Sequence, residues 1–557
     1  MNTVIPESAS IPRERHEQMF PRLSPAQIAR VSAHGMRRFA ERGEILIDQG
    51  EPTRRFFLVL SGKIEILRPS GGELIVVHEA GQFAGDVHML SGRNSVVRAR
   101  MAEAGEIIEV DREDLRSLVQ TDSELSDILM RAFILRRVEL IARGLGDVIL
   151  LGSSHSAGTL RIKEFLMRNG HPYSYIDLER DASAQEFLDR FQVKVEEIPV
   201  VICRGKQVLR NPTNQQVADC LGFNEAIDKT HVRDVIVVGA GPAGLAAAVY
   251  AASEGLDVLV LETNAPGGQA GSSSKIENYL GFPTGISGQE LAGRANVQAQ
   301  KFGAQVLISR AATRLLCEHK PYAVEIEGGV RLAGRAVIMA MGAEYRRLPL
   351  DNLSRFEGAG IYYGATFIEA QLCEGDEVVV VGGGNSAGQA AVFLAQKAKR
   401  VHMLVRADGL AETMSRYLIR RIEENPVIEL RTHTEITALD GGDQLERICW
   451  RNTKTGEVET HDIQHLFLMT GATPNTGWLN SCLALDDKGF IKTGLDLQPE
   501  ELTAAHWPLT RPPLLFETSL PSVFAVGDVR SGNIKRVASA VGEGSIAVRL
   551  VHQVLAE

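Results

Sequence analysis

Two glycine-rich loops are the residues of this chain best suited to chemistry. The first, Gly-Ala-Gly-Pro-Ala-Gly at 239–244, follows an apolar run at 234–238 and precedes a stretch of small residues. The second, Gly-Gly-Gly-Asn-Ser-Ala at 382–387, follows the apolar run 377–381. A strand that turns through such a loop into a helix presents free amides and a helix N-terminus to a diphosphate. The two loops predict that the chain binds two dinucleotides, most economically a flavin and a nicotinamide.

Each loop is followed by a residue that suits a ribose. Glu262 ends the strand-like run 258–261 and is the expected acceptor for the ribose hydroxyls of the first dinucleotide. Arg406 ends the corresponding run 400–405, where an arginine suits a 2′-phosphate and favours NADPH, with NADH left open. The loop residues predicted to bind cofactor are Gly239, Gly241, Pro242, Ala243, Gly244, Gly382, Gly384, Asn385 and Ser386.

Cysteine spacing limits the redox chemistry. The six cysteines are scattered, and no two of them are separated by only two residues. That spacing excludes a local zinc knuckle and a CxxC redox centre, and we expect no metal site. In a reducing compartment the expectation is six reduced and mostly buried thiols.

Composition sets the class of protein. A chain of 557 residues predicts two to four domains. A net charge of −10 argues against nucleic-acid binding. No apolar run approaches the roughly 20 residues that span a bilayer, and residues 1–20 lack the apolar centre of a signal peptide. We therefore expect a cytoplasmic protein without a membrane span.

A first block, residues 1–143, shows short strands separated by glycines and ends in a helical segment. The motifs at 43–51, 56–62 and 83–87 resemble the cyclic nucleotide-binding domain, which implies a β jelly-roll barrel. By this resemblance the phosphate-pairing arginine falls on Ser95. Arg93 and Arg98 lie nearby, but on a strand an odd offset, such as that of Arg98, turns a side chain to the other face. A nucleotide ligand stays open, and a degenerate sensor or docking module is favoured.

A second block, residues 146–226, has strand-like runs at 147–152, 173–178 and 198–202 around a helical stretch. The order resembles a thioredoxin or glutaredoxin fold, with Pro199 at the position of that family's cis-proline. The position of the family's CxxC holds Ser153-Ser154-His155-Ser156, and hydroxyls cannot perform thiol-disulfide exchange. We expect this block to bind or dock without redox chemistry of its own.

The C-terminal half, residues 232–557, resembles the low-molecular-weight thioredoxin reductase family. The resemblance rests on both loops, on 267–269 and 277–279, on the hinge segments 341–346 and 470–475, and on 526–528 with 535–537. It implies two Rossmann-like domains, an FAD-binding domain at 232–348 and 472–557 and an NAD(P)-binding domain at 349–471, and a homodimer. The further flavin contacts that it implies are Gly268, Gln269, Asn278, Gly527, Asp528, Arg536 and Val537.

The chain departs from that family where electrons would leave the flavin. The family's two redox cysteines fall on Gly364 and Phe367, and Cys373 lies too far along the following helix, at about 1.5 Å per residue, to replace them. We therefore interpret the protein as an FAD-dependent NAD(P)H oxidoreductase that passes electrons to an unidentified acceptor, such as a protein, quinone or disulfide, without a CxxC relay. The alternatives are a nonenzymatic redox or nucleotide sensor and a true thioredoxin-disulfide reductase.

Overall fold

The computed structural model describes residues 13–68, 72–143, 148–153, 156–178, 194, 197–204, 207–411, 414–442, 444–479 and 482–557, with the main chain alone at 13, 14, 367 and 368. Within these ranges no helix combines the length and the apolar character that crossing a bilayer requires. His155 and Ser154, which the sequence places at the position of a CxxC, lie outside the described residues.

The first block contains two four-stranded antiparallel sheets, ordered β1-β8-β3-β6 and β2-β7-β4-β5. Alternating apolar residues form the core between the sheets and the helices, where the rings of Phe56, Phe83 and Phe133 pack together. Its elements are α1 (Arg13–Met19), α2 (Pro25–Ser32), β1 (Met36–Ala40), β2 (Ile45–Ile47), β3 (Arg55–Val59), β4 (Lys63–Leu67), β5 (Leu74–His78), β6 (Phe83–Ala84), α3 (His88–Ser91), β7 (Arg98–Glu103), β8 (Gly105–Asp111), α4 (Arg112–Thr121) and α5 (Ser123–Ala142).

The second block contains one four-stranded sheet, ordered β10-β9-β11-β12, in which only β9 and β10 are parallel. The Ile198–Pro199 peptide bond before β11 is cis. The hydroxyl of Ser156 accepts a hydrogen bond from the Thr159 amide and caps the helix that follows β9. The described elements are β9 (Val148–Gly152), α6 (Ala157–Arg168), β10 (Tyr173–Asp177), β11 (Val200–Cys203), β12 (Gln207–Arg210) and α7 (Asn214–Leu221).

The C-terminal half is built on two sheets with parallel centres. Their central strands are continuous Val, Ile and Leu runs that are buried on both faces, as expected where helices cover a parallel sheet. The larger sheet contains β13 (Arg233–Val238), β14 (Val258–Glu262), β15 (Gln305–Ile308), β16 (Ala312–Leu316), β17 (Tyr322–Ile326) and β18 (Val330–Met339), with α8 (Pro242–Ser253) and α9 (Gly288–Lys301) beside it and β19 (Ala343–Tyr345) after it.

The smaller sheet belongs to a segment inserted after β19. Its strands follow the order β20-β27-β21-β22-β23, and a three-stranded antiparallel sheet, β24-β25-β26, lies beside it. The elements are α10 (Leu353–Phe356), β20 (Ile361–Tyr362), α11 (Phe367–Leu372), β21 (Glu377–Val381), α12 (Asn385–Leu394), β22 (Arg400–Leu404), α13 (Arg416–Glu423), β23 (Ile428–Arg431), β24 (Thr434–Asp440), β25 (Arg447–Asn452), β26 (Val458–His461) and β27 (His465–Leu468).

The chain then returns to the larger sheet through β28 (Ala472–Pro474), α14 (Pro499–Ala504), β29 (Val523–Ala525) and α15 (Val537–Ala556). β29 adds to the larger sheet in parallel with β18, which makes seven strands. β19 and β28 form a two-stranded antiparallel ladder that carries the chain into and out of the inserted segment. The two strands of this ladder lie within the segments 341–346 and 470–475 on which the family resemblance rests.

A disulfide corrects the expectation of six reduced thiols. Cys317, just after β16, is bonded to Cys482, which follows a 3₁₀ turn at Gly477–Leu479. No local pattern indicates this pair, because the two cysteines are 165 residues apart and meet only when the chain re-enters the larger sheet. Of the free cysteines, Cys203 and Cys373 are buried, and Cys220 and Cys449 are half-buried.

Candidate functional site

Both glycine-rich loops open into one cavity of about 1500 Å³ between the larger sheet and the inserted segment. Tyr345, on β19, joins the two sides, because its side chain shares a hydrogen bond with Ser386 of the second loop and lies near the carboxyl of Asp528. Burial raises the pKa of the Tyr345 phenol, which therefore stays protonated. Two dinucleotides bound to the two loops would share this space.

The first loop has the conformation that its glycines predict. Gly239 has φ +103°, and a Cβ there would lie 2.4 Å from the Ala340 carbonyl oxygen. A Cβ on Gly244 would lie 1.9 Å from the Gly239 oxygen, so this glycine allows α8 to pack against the loop. Gly241 differs, since its Cβ would have only the Gly268 Cα within reach, at 4.0 Å. That open slot, at the N-terminus of α8 where Pro242 and Ala243 begin the helix, is suited to a diphosphate.

Glu262 lies at the end of β14 and faces the first loop. One carboxylate oxygen accepts a hydrogen bond from the Ala240 amide at 2.8 Å, and the other accepts from the Asn264 amide at 2.9 Å. Burial raises the pKa of Glu262, and the two amides oppose that shift. The carboxylate is therefore fixed beside the cavity, where it is placed to accept from ribose hydroxyls.

The segment 267–278 forms a second wall of the cavity. Gly268, with φ +53°, faces Gly241 across the slot, at 3.1 Å from the position of its Cβ to the Gly241 Cα. Gln269 donates a side-chain hydrogen bond to the Ala343 carbonyl of the hinge ladder, and Asn278 lines the cavity. Gly268 thus faces the first loop, and Gln269 and Asn278 line the same cavity.

The last predicted flavin contacts come from the C-terminal end of the chain. The Gly527 backbone amide donates to Glu543 at 2.7 Å, and Asp528 accepts from the side-chain amide of Asn533 at 2.9 Å. Burial raises the pKa of the Asp528 carboxyl. Arg536 is the N-cap of α15, and Val537 is its first residue, so the amides at this helix start line the same cavity.

The second loop repeats the geometry of the first. Gly382 has φ +144°, and a Cβ there would lie 2.4 Å from the Met469 oxygen, whereas a Cβ on Gly384 would meet nothing within 4 Å. Asn385 begins α12 and accepts a hydrogen bond from the Ser415 amide at 2.8 Å. Arg406 is exposed at the cavity edge, just after β22. Its position suits a 2′-phosphate on a nucleotide bound to this loop.

The cavity wall contains no thiol at the positions where the sequence resemblance places one. Gly364 lines the cavity, with its Cβ position 3.7 Å from the Ser272 Cβ, and α11 begins at Phe367. Cys373 follows the end of α11 and is fully buried, and burial raises the pKa of its thiol to about 12. Among the described residues, no group of three or more His, Cys, Asp or Glu side chains is arranged to hold a metal ion.

In the first block, the arginines near the predicted phosphate position point elsewhere. Arg93 is buried, donates to the Asn169 carbonyl of the second block at 3.3 Å, and lies with its guanidinium carbon 4.8 Å from the centre of the Phe223 ring. Arg98 pairs with Asp48 at 2.8 Å. Ser95 is buried and donates to the Val97 carbonyl at 2.8 Å. This end of the first block therefore contacts the second block.

Sequence reasoning missed the contribution of the second block to the cavity. One face of α6 lines the cavity. The three- and four-residue spacing of this face is visible in the sequence, but no local pattern indicates which surface of the protein the face contacts. The α6 residues in the cavity wall are Ala157, Leu160, Arg161, Glu164 and Arg168.

Comparison with known proteins gives two family matches. Residues 233–544 match the pyridine nucleotide-disulphide oxidoreductase family, and residues 37–122 match the cyclic nucleotide-binding domain. The chain is 33% identical over 314 residues to a thioredoxin reductase of Treponema pallidum, a match that covers 56% of this chain and 94% of that protein. It is 30% identical over 326 residues to a thioredoxin reductase of Bacillus subtilis, covering 58% and 96%.

Solved structures give a similar result. The crystal structure of Lactococcus lactis thioredoxin reductase superposes with a TM-score of 0.52 at 25% identity, covering 58% of this chain and 99% of that one. The crystal structure of T. acidophilum thioredoxin reductase gives a TM-score of 0.52 at 27% identity, with 58% of this chain and 99% of that one covered. Both matches leave more than a third of this chain without a counterpart.

Proposed function

The chain belongs to the pyridine nucleotide-disulphide oxidoreductase family, and from that membership we propose how it works as an FAD-dependent NAD(P)H oxidoreductase. It accepts hydride from NADPH at a bound FAD and passes the electrons to an acceptor without a CxxC relay. FAD supplies the redox chemistry, and the protein supplies placement and access. The observation that carries the proposal is the single cavity into which both glycine-rich loops open.

The predicted site residues fit both nucleotides. We assign the FAD to the first loop, Glu262, the segment 267–278, Asp528 and the start of α15, where amides and an open glycine slot suit a diphosphate. We assign the NADPH to the second loop and Arg406. The corresponding domains are 232–348 with 472–557 for FAD and 349–471 for NAD(P), and the family resemblance supports a homodimer through this half.

The proposal of a direct outlet rests on the missing thiols. Gly364 and Phe367 occupy the positions that the family resemblance gives to the redox cysteines, and neither residue can form a thiolate. Cys373 cannot replace them, because a buried thiol with a pKa of about 12 is protonated at neutral pH. We infer that an acceptor such as an external disulfide, a quinone or a redox protein meets the flavin directly.

The two N-terminal blocks are assigned as accessory domains. We propose that residues 1–143 form a jelly-roll domain of the cyclic nucleotide-binding type and that 146–226 form a thioredoxin-like domain without dithiol chemistry. The contact of Arg93 with the second block supports a docking role for the first block. A nucleotide ligand of the first block is a separate hypothesis, tested by titration with cyclic AMP and cyclic GMP.

Rapid-mixing reduction of the flavin-loaded protein by NADPH and NADH, without oxygen, tests the proposal. Oxidised thioredoxin, a quinone and a ferredoxin are then offered as acceptors. Bleaching of the flavin followed by turnover on one acceptor is the expected result and identifies the acceptor class. Bleaching without turnover would favour a nonenzymatic sensor, and turnover on thioredoxin would favour a true thioredoxin-disulfide reductase. Failure of both nucleotides to bleach the flavin would refute the oxidoreductase proposal.

A further inference from the structure

Helix α6 places part of the second block in the wall of the cofactor cavity. Its cavity face includes Arg161, Glu164 and Arg168, which follow each other at spacings of three and four residues. The match to the oxidoreductase family begins at residue 233, so α6 lies outside the part of the chain that the family shares. Any role of this helix toward the cofactor therefore lies outside the segment that the family match covers.

Arg168 contacts the loop that closes the diphosphate slot. Its Nη2 donates a hydrogen bond to the Gly268 carbonyl at 2.8 Å, and a Cβ on Gly271 would lie 3.4 Å from the same nitrogen. Gly268 in turn faces Gly241 across the slot. The guanidinium of the second block is thus bonded directly to one of the two glycines between which the diphosphate is assigned.

The guanidinium of Arg168 is largely buried and interacts with two carboxylates near the slot. The side chain is only 12% exposed, and its Nη1 lies 3.2 Å from a carboxylate oxygen of Glu164 on the same helix. Its charge also acts on Glu262, the carboxylate assigned to the ribose. The Nε–H is buried and has no acceptor among the described residues. A buried donor without an acceptor costs free energy, and no contact within the described protein offsets this cost.

We propose that Arg168 is a cofactor-binding residue of the flavin site, supplied by the second block: it holds the Gly268 side of the slot and provides positive charge for the FAD diphosphate. Charge-assisted hydrogen bonds from arginine are among the stronger contacts that proteins make with phosphates. The inference rests on the proposed function only in taking FAD as the ligand of the first loop. It makes the second block part of the flavin site.

Three variants of the full-length protein separate a charge role from a structural one. Arg168→Gln removes the charge and leaves a shorter polar side chain, whereas Arg168→Lys keeps the charge. Arg131→Gln is the matched control, because Arg131 is an exposed α5 residue that pairs with Asp127 on its own helix. FAD affinity of each apoprotein is measured by quenching of flavin fluorescence at low and high salt.

We expect Arg168→Gln to bind FAD about tenfold or more weakly, the usual effect of losing one charge-assisted hydrogen bond. Arg168→Lys should retain most of the affinity, Arg131→Gln should match the wild type, and the salt dependence should be smaller in Arg168→Gln. Wild-type affinity in Arg168→Gln would overturn the proposal. An equal loss in Gln and Lys variants, without a change in salt dependence, would also overturn it by showing a structural role. If the wild type itself does not bind FAD, it is the proposed function that fails.

Discussion

Asp528 shows the conflict between binding and stability at a single residue. Burial raises the pKa of its carboxyl, so the ionised form is disfavoured in the folded protein without cofactor. The positive charge of Lys535 and a hydrogen bond from the side-chain amide of Asn533 offset part of this effect. Functional sites often contain a buried charged residue that lowers the stability of the fold.

Asp528→Asn should therefore make the apoprotein more resistant to urea at pH 7 and bind FAD about tenfold more weakly. The pH dependence follows from linkage between protonation and folding. A carboxyl whose pKa is raised in the folded state lowers the free energy of unfolding at pH values above that pKa. The loss disappears below the pKa of the unfolded chain, about 3.9. The urea midpoints of variant and wild type should converge as the pH falls through this range. Asp408→Asn, at an exposed position, is the control, and a wild type more stable than Asp528→Asn at pH 7 would contradict this account.

Arg406 sets the choice of nicotinamide nucleotide in our proposal. Arg406→Ala should raise the Kd for NADPH by about tenfold or more and leave that for NADH nearly unchanged, because only NADPH carries the 2′-phosphate. Flavin reduction rates at varied nucleotide concentration measure both constants. Arg420→Ala, exposed on α13, serves as the control. Equal losses for the two nucleotides would show that Arg406 does not recognise the 2′-phosphate.

At the scale of elements, alanine substitutions at glycines with free space around them can test the two loops separately. Gly241 and Gly384 have extended backbones that any residue adopts, and neither would bring a Cβ closer than 4.0 Å to another heavy atom. Gly293, inside α9, also has nothing within 4 Å. Alanine at these positions should therefore be compatible with folding, in contrast to alanine at Gly239 or Gly244.

Gly241→Ala should weaken FAD binding by about tenfold or more, because its methyl group enters the slot that the diphosphate needs. Gly384→Ala should retain FAD and lose affinity for NADPH by a similar factor. Gly293→Ala should bind both nucleotides normally and gain about 0.5–1 kcal/mol of helix stability. Flavin content, nucleotide titration and urea unfolding measure these effects. A Gly384→Ala variant that loses FAD instead of NADPH would reverse our assignment of the loops.

The local sequence predicts the strand, loop and helix of a dinucleotide-binding unit, but it does not predict which distant residues contact each other. The strand, loop and helix at 233–253 follow from an apolar run and three glycines within twenty residues, and the structure reproduces them. Arg168 and the Cys317–Cys482 disulfide were not predictable in the same way. Their partners lie 100 and 165 residues away, and only the packing of whole sheets brings them together.

At the scale of the molecule, the disulfide closes a covalent loop with a sequence separation of 165 residues. It joins the end of β16 to the segment that follows the inserted sheet, and both cysteines pack against the apolar core of the larger sheet. A cross-link over so long a loop restricts the unfolded chain strongly. The FAD-binding part should therefore lose stability when it is reduced.

Reduction by dithiothreitol, or the double substitution Cys317→Ser with Cys482→Ser, should lower the free energy of unfolding of this part by about 2–5 kcal/mol. Release of flavin fluorescence during urea unfolding reports this part separately from the N-terminal blocks. The double variant provides the control, since dithiothreitol should have no further effect on it. An unchanged wild-type midpoint on reduction would show that the bond does not stabilise the fold.

The ladder between β19 and β28 has a consequence for protein engineering. Arg346 and Thr470, at its inner end, are hydrogen-bonded to each other, with the Thr470 hydroxyl donating to the Arg346 carbonyl at 2.5 Å. The chain therefore enters and leaves the inserted segment at neighbouring points, about one strand spacing of 4.8 Å apart. A segment with such ends can be transplanted as a unit, so a nucleotide-binding module of another specificity could be grafted here with no change to the larger sheet.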